Sequence, residues 1–116
     1  NNITNKINII YEIQKIIGIF NLEAIANVNI VENNIYVSVI PQVIGKPFGK
    51  LTYKLSGKDA SSFTINSTNG VVSMIKRDFE SPQDENEDNI YELTLTLTDT
   101  DENTDSKDWN VTILNI

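Results

Sequence analysis

Residues Ile90 to Thr98 alternate without a break, with Tyr91, Leu93, Leu95 and Leu97 on one side and Glu92, Thr94, Thr96 and Thr98 on the other. A period of two is that of an extended strand with one face in a core and one in water. Asp108 to Leu114 repeats the pattern with Trp109, Val111 and Ile113 inward. Leu51 to Leu55 does so with Leu51, Tyr53 and Leu55. Shorter apolar runs at Val28–Ile30, Ile35–Ile40, Phe63–Ile65 and Val71–Ile75 bring the expected number of strands to about seven. Gly45, Gly49, Gly57 and Gly70 are expected in the turns between them, where positive φ is often needed. Short strands punctuated by turn residues, with no helical period from Ala26 onward, predict an all-β sandwich.

The first 21 residues do not settle into one pattern. Ile7, Ile9, Tyr11 and Ile13 have strand spacing, whereas Ile13, Ile16, Ile17 and Phe20 have helical spacing. They are too apolar to remain uncovered in water. Residues 1–21 are therefore read as an N-terminal extension, ahead of one domain over 22–116. The extension is either an extra strand or helix packed on its own sandwich, the tail of a preceding domain, or a strand donated to a neighbouring subunit.

A chain of 116 residues supports one two-layer core. It has neither cysteine nor histidine, which removes disulfides, thiolate nucleophiles, imidazole acid–base chemistry and zinc ligation by those groups. A net charge of −7 with nine lysines and arginines argues against a nucleic-acid partner, which requires clustered basic residues. No apolar run is long enough to insert across a bilayer.

The acids are concentrated rather than spread. Between Asp78 and Asp108 there are twelve acidic residues against one basic residue, Lys107. Such density repels itself unless it is solvated or neutralised, and calcium, which takes six to eight oxygen ligands, is the cation best matched to it. Two runs place oxygen donors at alternate positions: Asp84, Asn86 and Asp88, then Asp99, Asp101, Asn103 and Asp105. Each could present three oxygens to one ion. Neither run is an EF-hand loop, since Asn89 and Thr104 stand where its glycine would be, and Leu95 and Asn110 where its final glutamate would be. Paired carboxylates also serve glycosidases, but those need a sugar cleft and one carboxyl group in an apolar setting. Acid-dense turns offer neither, and no enzyme activity is expected.

From about Val28 to Ile113 the order of short motifs resembles a cadherin repeat, particularly the bacterial cadherin-like type. The pieces are Val31-Glu32-Asn33, then Leu51-Thr52-Tyr53-Lys54-Leu55-Ser56-Gly57, Asp59-Ala60 and Phe63-Thr64-Ile65-Asn66. They continue with Asn69-Gly70-Val71, Asp78-Phe79-Glu80 and Tyr91 through Asp99. The resemblance implies a Greek-key, Ig-like sandwich and an extracellular calcium-binding module of a secreted or cell-surface protein, used for adhesion or as a spacer. It implies Glu32, Asp78 and Glu80 as calcium ligands at one pole, with Asp99 at another family position. Its partners would be neighbouring cadherin-like domains or identical subunits. The alternative is a structural subunit of an extracellular filament, assembled by donation of the N-terminal strand.

Overall fold

A computed structural model describes residues 18–116. The irregular spacing of residues 1–17, with the strand or helix expected there, lies outside the described residues. Among the described residues, nine strands form three groups. The largest is a four-stranded sheet of β2 (Val28–Val31), β9 (Thr104–Leu114), β8 (Ile90–Thr98) and β5 (Thr52–Ser56), in that order. Within it β2 runs parallel to β9, while β9 with β8 and β8 with β5 are antiparallel. A second sheet has the order β3 (Tyr36–Val37), β7 (Val72–Met74), β6 (Thr64–Ile65). The third group is an antiparallel ribbon of β1 (Ile19–Leu22) with β4 (Val43–Lys46).

The alternation in the sequence sets which face each strand buries. In β8 the residues Tyr91, Leu93, Leu95 and Leu97 are buried, and in β9 Trp109, Val111 and Ile113 join them. Opposite them lie Tyr36, Val72 and Met74 of the second sheet with Phe63, and Phe20 and Leu22 of the ribbon close the same core. Burial of this apolar surface is the main force holding the layers together. The aromatics meet edge to face, Tyr36 on Phe63 at 6.0 Å and Phe63 on Tyr91 at 5.8 Å between ring centroids. Inside this cluster the Trp109 indole Nε1–H donates to the Tyr36 hydroxyl at 3.0 Å, so two polar groups that burial would otherwise strand satisfy each other.

Three differences from the sequence-based expectation have physical causes. The run Ile35–Ile40 is strand only over Tyr36–Val37, the residues paired with Met74 and Ser73 of β7. The strand beginning at Asp108 starts earlier, at Thr104, since β8 pairs with it along its whole length. Gly45 is within strand β4 rather than in a turn. Its φ is +102°, and a Cβ there would run into the Ile19 carbonyl and lie 2.9 Å from the Phe20 Cα. Glycine lets the backbones of the ribbon approach closely. The ribbon also carries β1 across the expected division between residues 21 and 22.

Candidate metal centre

The parallel β2–β9 pair ends at one pole, and Glu32, Asp78, Glu80 and the acids of the loop ahead of β8 gather around that end. Glu32 follows β2 directly, and its backbone N–H donates to the Leu114 carbonyl at 2.9 Å, which fixes it to the end of β9. Asn33 then takes a left-handed φ of 68° and donates its N–H to the Arg77 carbonyl, drawing the segment after β7 alongside. The Glu32 side chain is consequently buried, at 6% exposure. One of its oxygens accepts the Phe79 N–H at 3.1 Å and the other the Ile116 N–H at 3.2 Å. Asp78 and Glu80 flank Phe79, and an Asp78 oxygen accepts the Glu80 N–H at 3.0 Å.

In this arrangement one carboxylate oxygen from each of Glu32, Asp78 and Glu80 lies within 4.8 Å of the others. Two ligands of one calcium ion, each about 2.4 Å from it, can be no farther apart than about 4.8 Å. The spacing therefore fits a shared cation. Electrostatics point the same way. Hydrogen bonding with Glu80 holds the Asp78 carboxyl below its ordinary value. The same contact pushes Glu80 up, with burial and the charges of Glu32 and Asp78 adding to it. Like charges this close favour keeping a proton on one of them unless a cation replaces it. Among the described residues no lysine or arginine forms an ion pair with the three; the ion pairs are Lys58 with Glu92 and Lys107 with Asp105. Three carboxylates supply at most six oxygens, three of which already accept backbone amides. The remainder of a calcium shell would come from water or from groups beyond this pole.

The other sequence candidates lie apart. Asp84 is buried, and its two oxygens accept the N–H groups of Asn89 at 2.9 Å and Asp88 at 3.0 Å. Burial pushes its carboxyl up despite these donors. Asp88 accepts the Ile90 N–H at 2.9 Å, which lowers it, and takes the Asn86 side-chain amide at 3.2 Å. These groups shape the loop ahead of β8, at the same end of the sandwich as Glu32. Asp99, Asp101, Asn103 and Asp105 lie at the opposite end of the β8–β9 hairpin, eight residues along a strand and so about 26 Å away. Asp99 accepts N–H groups from Phe48, Asp101 and Asn103, each at 2.9 Å, and the Asn103 side-chain amide at 2.9 Å. Burial would raise its carboxyl, but those donors together hold it below the usual range. Asp105 accepts the Leu22 N–H at 2.7 Å, which lowers it and ties β1 to β9. Asp101 is exposed. Among the described residues, neither run brings three carboxylates together as the first cluster does.

Two residues that sequence reasoning left without a role organise this pole. Buried Asp59 accepts the Glu85 N–H at 2.7 Å and the Glu92 N–H at 2.8 Å, joining the acidic loop to β8. The side-chain amide of buried Asn89 donates to the Phe79 carbonyl at 2.9 Å, so the loop also supports the segment that carries Asp78 and Glu80. Asp59 stood inside a quoted motif, but only its burial reveals the task.

The architecture is that of a cadherin-like repeat. Mouse cadherin-23 repeats EC22–24 superpose with a TM-score of 0.63 at 15% identity, over 84% of this chain and 31% of that one. Drosophila N-cadherin EC1–4 gives 0.65 at 20% identity, over 82% and 24%. Human protocadherin-24 EC1–2 gives 0.61 at 18% identity, over 82% and 44%. The chain thus spans less than half the length of each of these multi-repeat structures. No family model matches it, and no curated protein matches it by sequence.

Proposed function

We propose that this chain is an extracellular adhesion or spacer module, secreted or on the cell surface, that binds calcium through Glu32, Asp78 and Glu80. The observation that carries this reading is the double engagement of Glu32. Its carboxylate belongs to the cation-sized cluster and also holds the N–H groups of Phe79 and of Ile116, the last residue after β9. A cation there would fix the direction in which the chain leaves the sandwich, and so the orientation of a neighbouring cadherin-like domain or identical subunit. Likeness to tandem cadherin repeats supports the same use, as does the absence among the described residues of any helix long and apolar enough to cross a membrane. The reading assigns no catalytic step. Asp84, Asp88, Asp99 and Asp105 are assigned the shaping of loops, because their carboxylates accept amides of their own chain, and Asn86, Asp101 and Asn103 are assigned no ligand role, because among the described residues neither run brings three carboxylates together.

Isothermal titration of the 116-residue chain with calcium chloride tests the assignment. Binding that is lost in Glu32→Gln and retained in Asp101→Asn is expected. Equal binding by both variants would move the site elsewhere. The filament reading requires, in addition, an acceptor for the N-terminal strand.

A further inference from the structure

We infer that the open slot between strands β2 and β3 is an acceptor for an added β-strand, and that its occupant is the Ile-rich segment Ile7–Ile17 of the same chain. Among the described residues, strands β2 and β3 are edges of their respective sheets. Between them lies a groove of about 430 Å³, floored by Ile25, Val28 and Ile30 from one side and walled by Ile35, Val37 and Val39 from the other. The last three are 68%, 63% and 72% exposed.

The backbone of this edge is set for pairing. Tyr36 stands opposite Met74, and Ser38 donates its N–H to the Val72 carbonyl at 2.8 Å. By the alternation of an antiparallel ladder, the N–H of Val37, between Tyr36 and Ser38, is directed away from β7. Edge strands are ordinarily blunted by lysine, proline or an inward charge. The run Ile35–Ile40 has none of these until Pro41 closes it. An uncharged, β-branched edge with an amide unpartnered among the described residues is the surface that captures an extended segment.

The occupant follows from the sequence and from where the described chain begins. Ile7, Ile9, Tyr11 and Ile13 provide one apolar face at strand spacing. The segment joins the sandwich at Gly18, a turn residue with φ +95° whose N–H is held by the Lys46 carbonyl. A left-handed glycine lets the chain reverse at this junction. From Gly18 to Ile25, on the groove, is seven residues, at most about 25 Å, whereas the eleven residues of Ile7–Ile17 extend about 36 Å. The segment can therefore reach the slot of its own molecule without a second copy, and tethering gives the intramolecular arrangement a high effective concentration. The inference is independent of calcium.

The chain has no cysteine, so introduced pairs report without background. In the full chain, Val37→Cys is combined in turn with Cys at Ile7, Ile9, Tyr11 and Ile13, and each is treated with a short bismaleimide. Linkage within a single chain, at monomer mass, is expected for at least one pair. Linkage only at dimer mass would overturn the inference in favour of a strand from a second copy, and no linkage would overturn it outright. Hydrogen exchange supplies the second measurement. The Val37 and Val39 amides should exchange at least about tenfold faster in the full-length Ile9→Lys/Ile13→Lys variant than in the parent, with β8 and β9 unchanged. Equal rates at Val37 and Val39 would contradict the proposal.

Discussion

The Glu32 carboxylate accepts the Ile116 backbone N–H at 3.2 Å, joining residues 84 positions apart at the end of β9. With the second Glu32 oxygen on the Phe79 amide, one buried side chain positions both the outgoing chain and the segment bearing Asp78 and Glu80. Shortening it should act on metal and fold together. Glu32→Ala is expected to abolish the rise in melting temperature given by calcium and to lower the metal-free melting temperature as well, because two amides lose their acceptor. Asp78→Asn is expected to remove only the first effect. Differential scanning calorimetry with and without calcium separates the two.

Asp84 has the opposite profile. Its oxygens hold the Asp88 and Asn89 amides in a buried loop, so Asp84→Ala is expected to cost about 1–3 kcal/mol of stability. Urea denaturation measures that loss. Calcium affinity should change less than about twofold, well under the tenfold that 1.4 kcal/mol represents.

The Trp109–Tyr36 hydrogen bond lies within the apolar core. Trp109→Phe leaves the Tyr36 hydroxyl buried without its donor, and Tyr36→Phe leaves the indole N–H without its acceptor. Each is expected to destabilise by at least about 1 kcal/mol. The double substitution should cost less than the sum, since it removes both stranded groups. A double-mutant cycle by chemical denaturation gives the comparison.

Gly45→Ala would place a methyl group against the β1 backbone at a positive φ. A loss greater than about 1 kcal/mol is expected, with faster hydrogen exchange in β1 and β4. Unchanged exchange there would contradict the pairing of Phe20 with Gly45.

Asp99 and Asp105 are both held below the ordinary aspartate value, Asp99 by donors that outweigh its burial and Asp105 chiefly by the Leu22 N–H. Acids lowered in the folded state stabilise it above their unfolded value of about 3.9 and lose that contribution as pH falls through the folded value. Metal-free stability should therefore fall on acidification below about pH 4. Asp99→Asn and Asp105→Asn should each flatten that part of the profile, as read by denaturation at fixed pH.

The strands that face one core were legible in the sequence, because β8 and β9 repeat an apolar residue at every second position over a long span. Strand β4 was not, because its reason for existing is β1, more than twenty residues earlier, and its Gly45 reads as a turn. The sandwich could be inferred from the alternation of Ile90–Thr98, Asp108–Leu114 and Leu51–Leu55 together with the shorter apolar runs and the turns between them, whereas the closure of the core by Phe20 and Leu22 could not. At the acidic end, Glu32, Asp78 and Glu80 were grouped through resemblance, since Asp78 and Glu80 are 46 and 48 positions from Glu32 and only folding brings the three together. Spacing gave Asp99 to Asp105 the look of a calcium loop. A carboxylate oxygen that accepts a turn's amide occupies the same alternate positions as one that would ligate a cation, as Asp99 does with the amides of Asp101 and Asn103, so spacing alone does not separate the two.

A calcium site at the pole of Glu32, Asp78 and Glu80 is tested by the melting temperature of the full chain in chelator and in rising calcium. A ligand that binds the folded state alone stabilises it by mass action, about 2.7 kcal/mol at a hundredfold excess over the dissociation constant. The melting temperature should rise steadily with calcium in the parent chain and remain flat in Glu32→Gln. A parent chain that melts at the same temperature in chelator and in millimolar calcium would contradict the account.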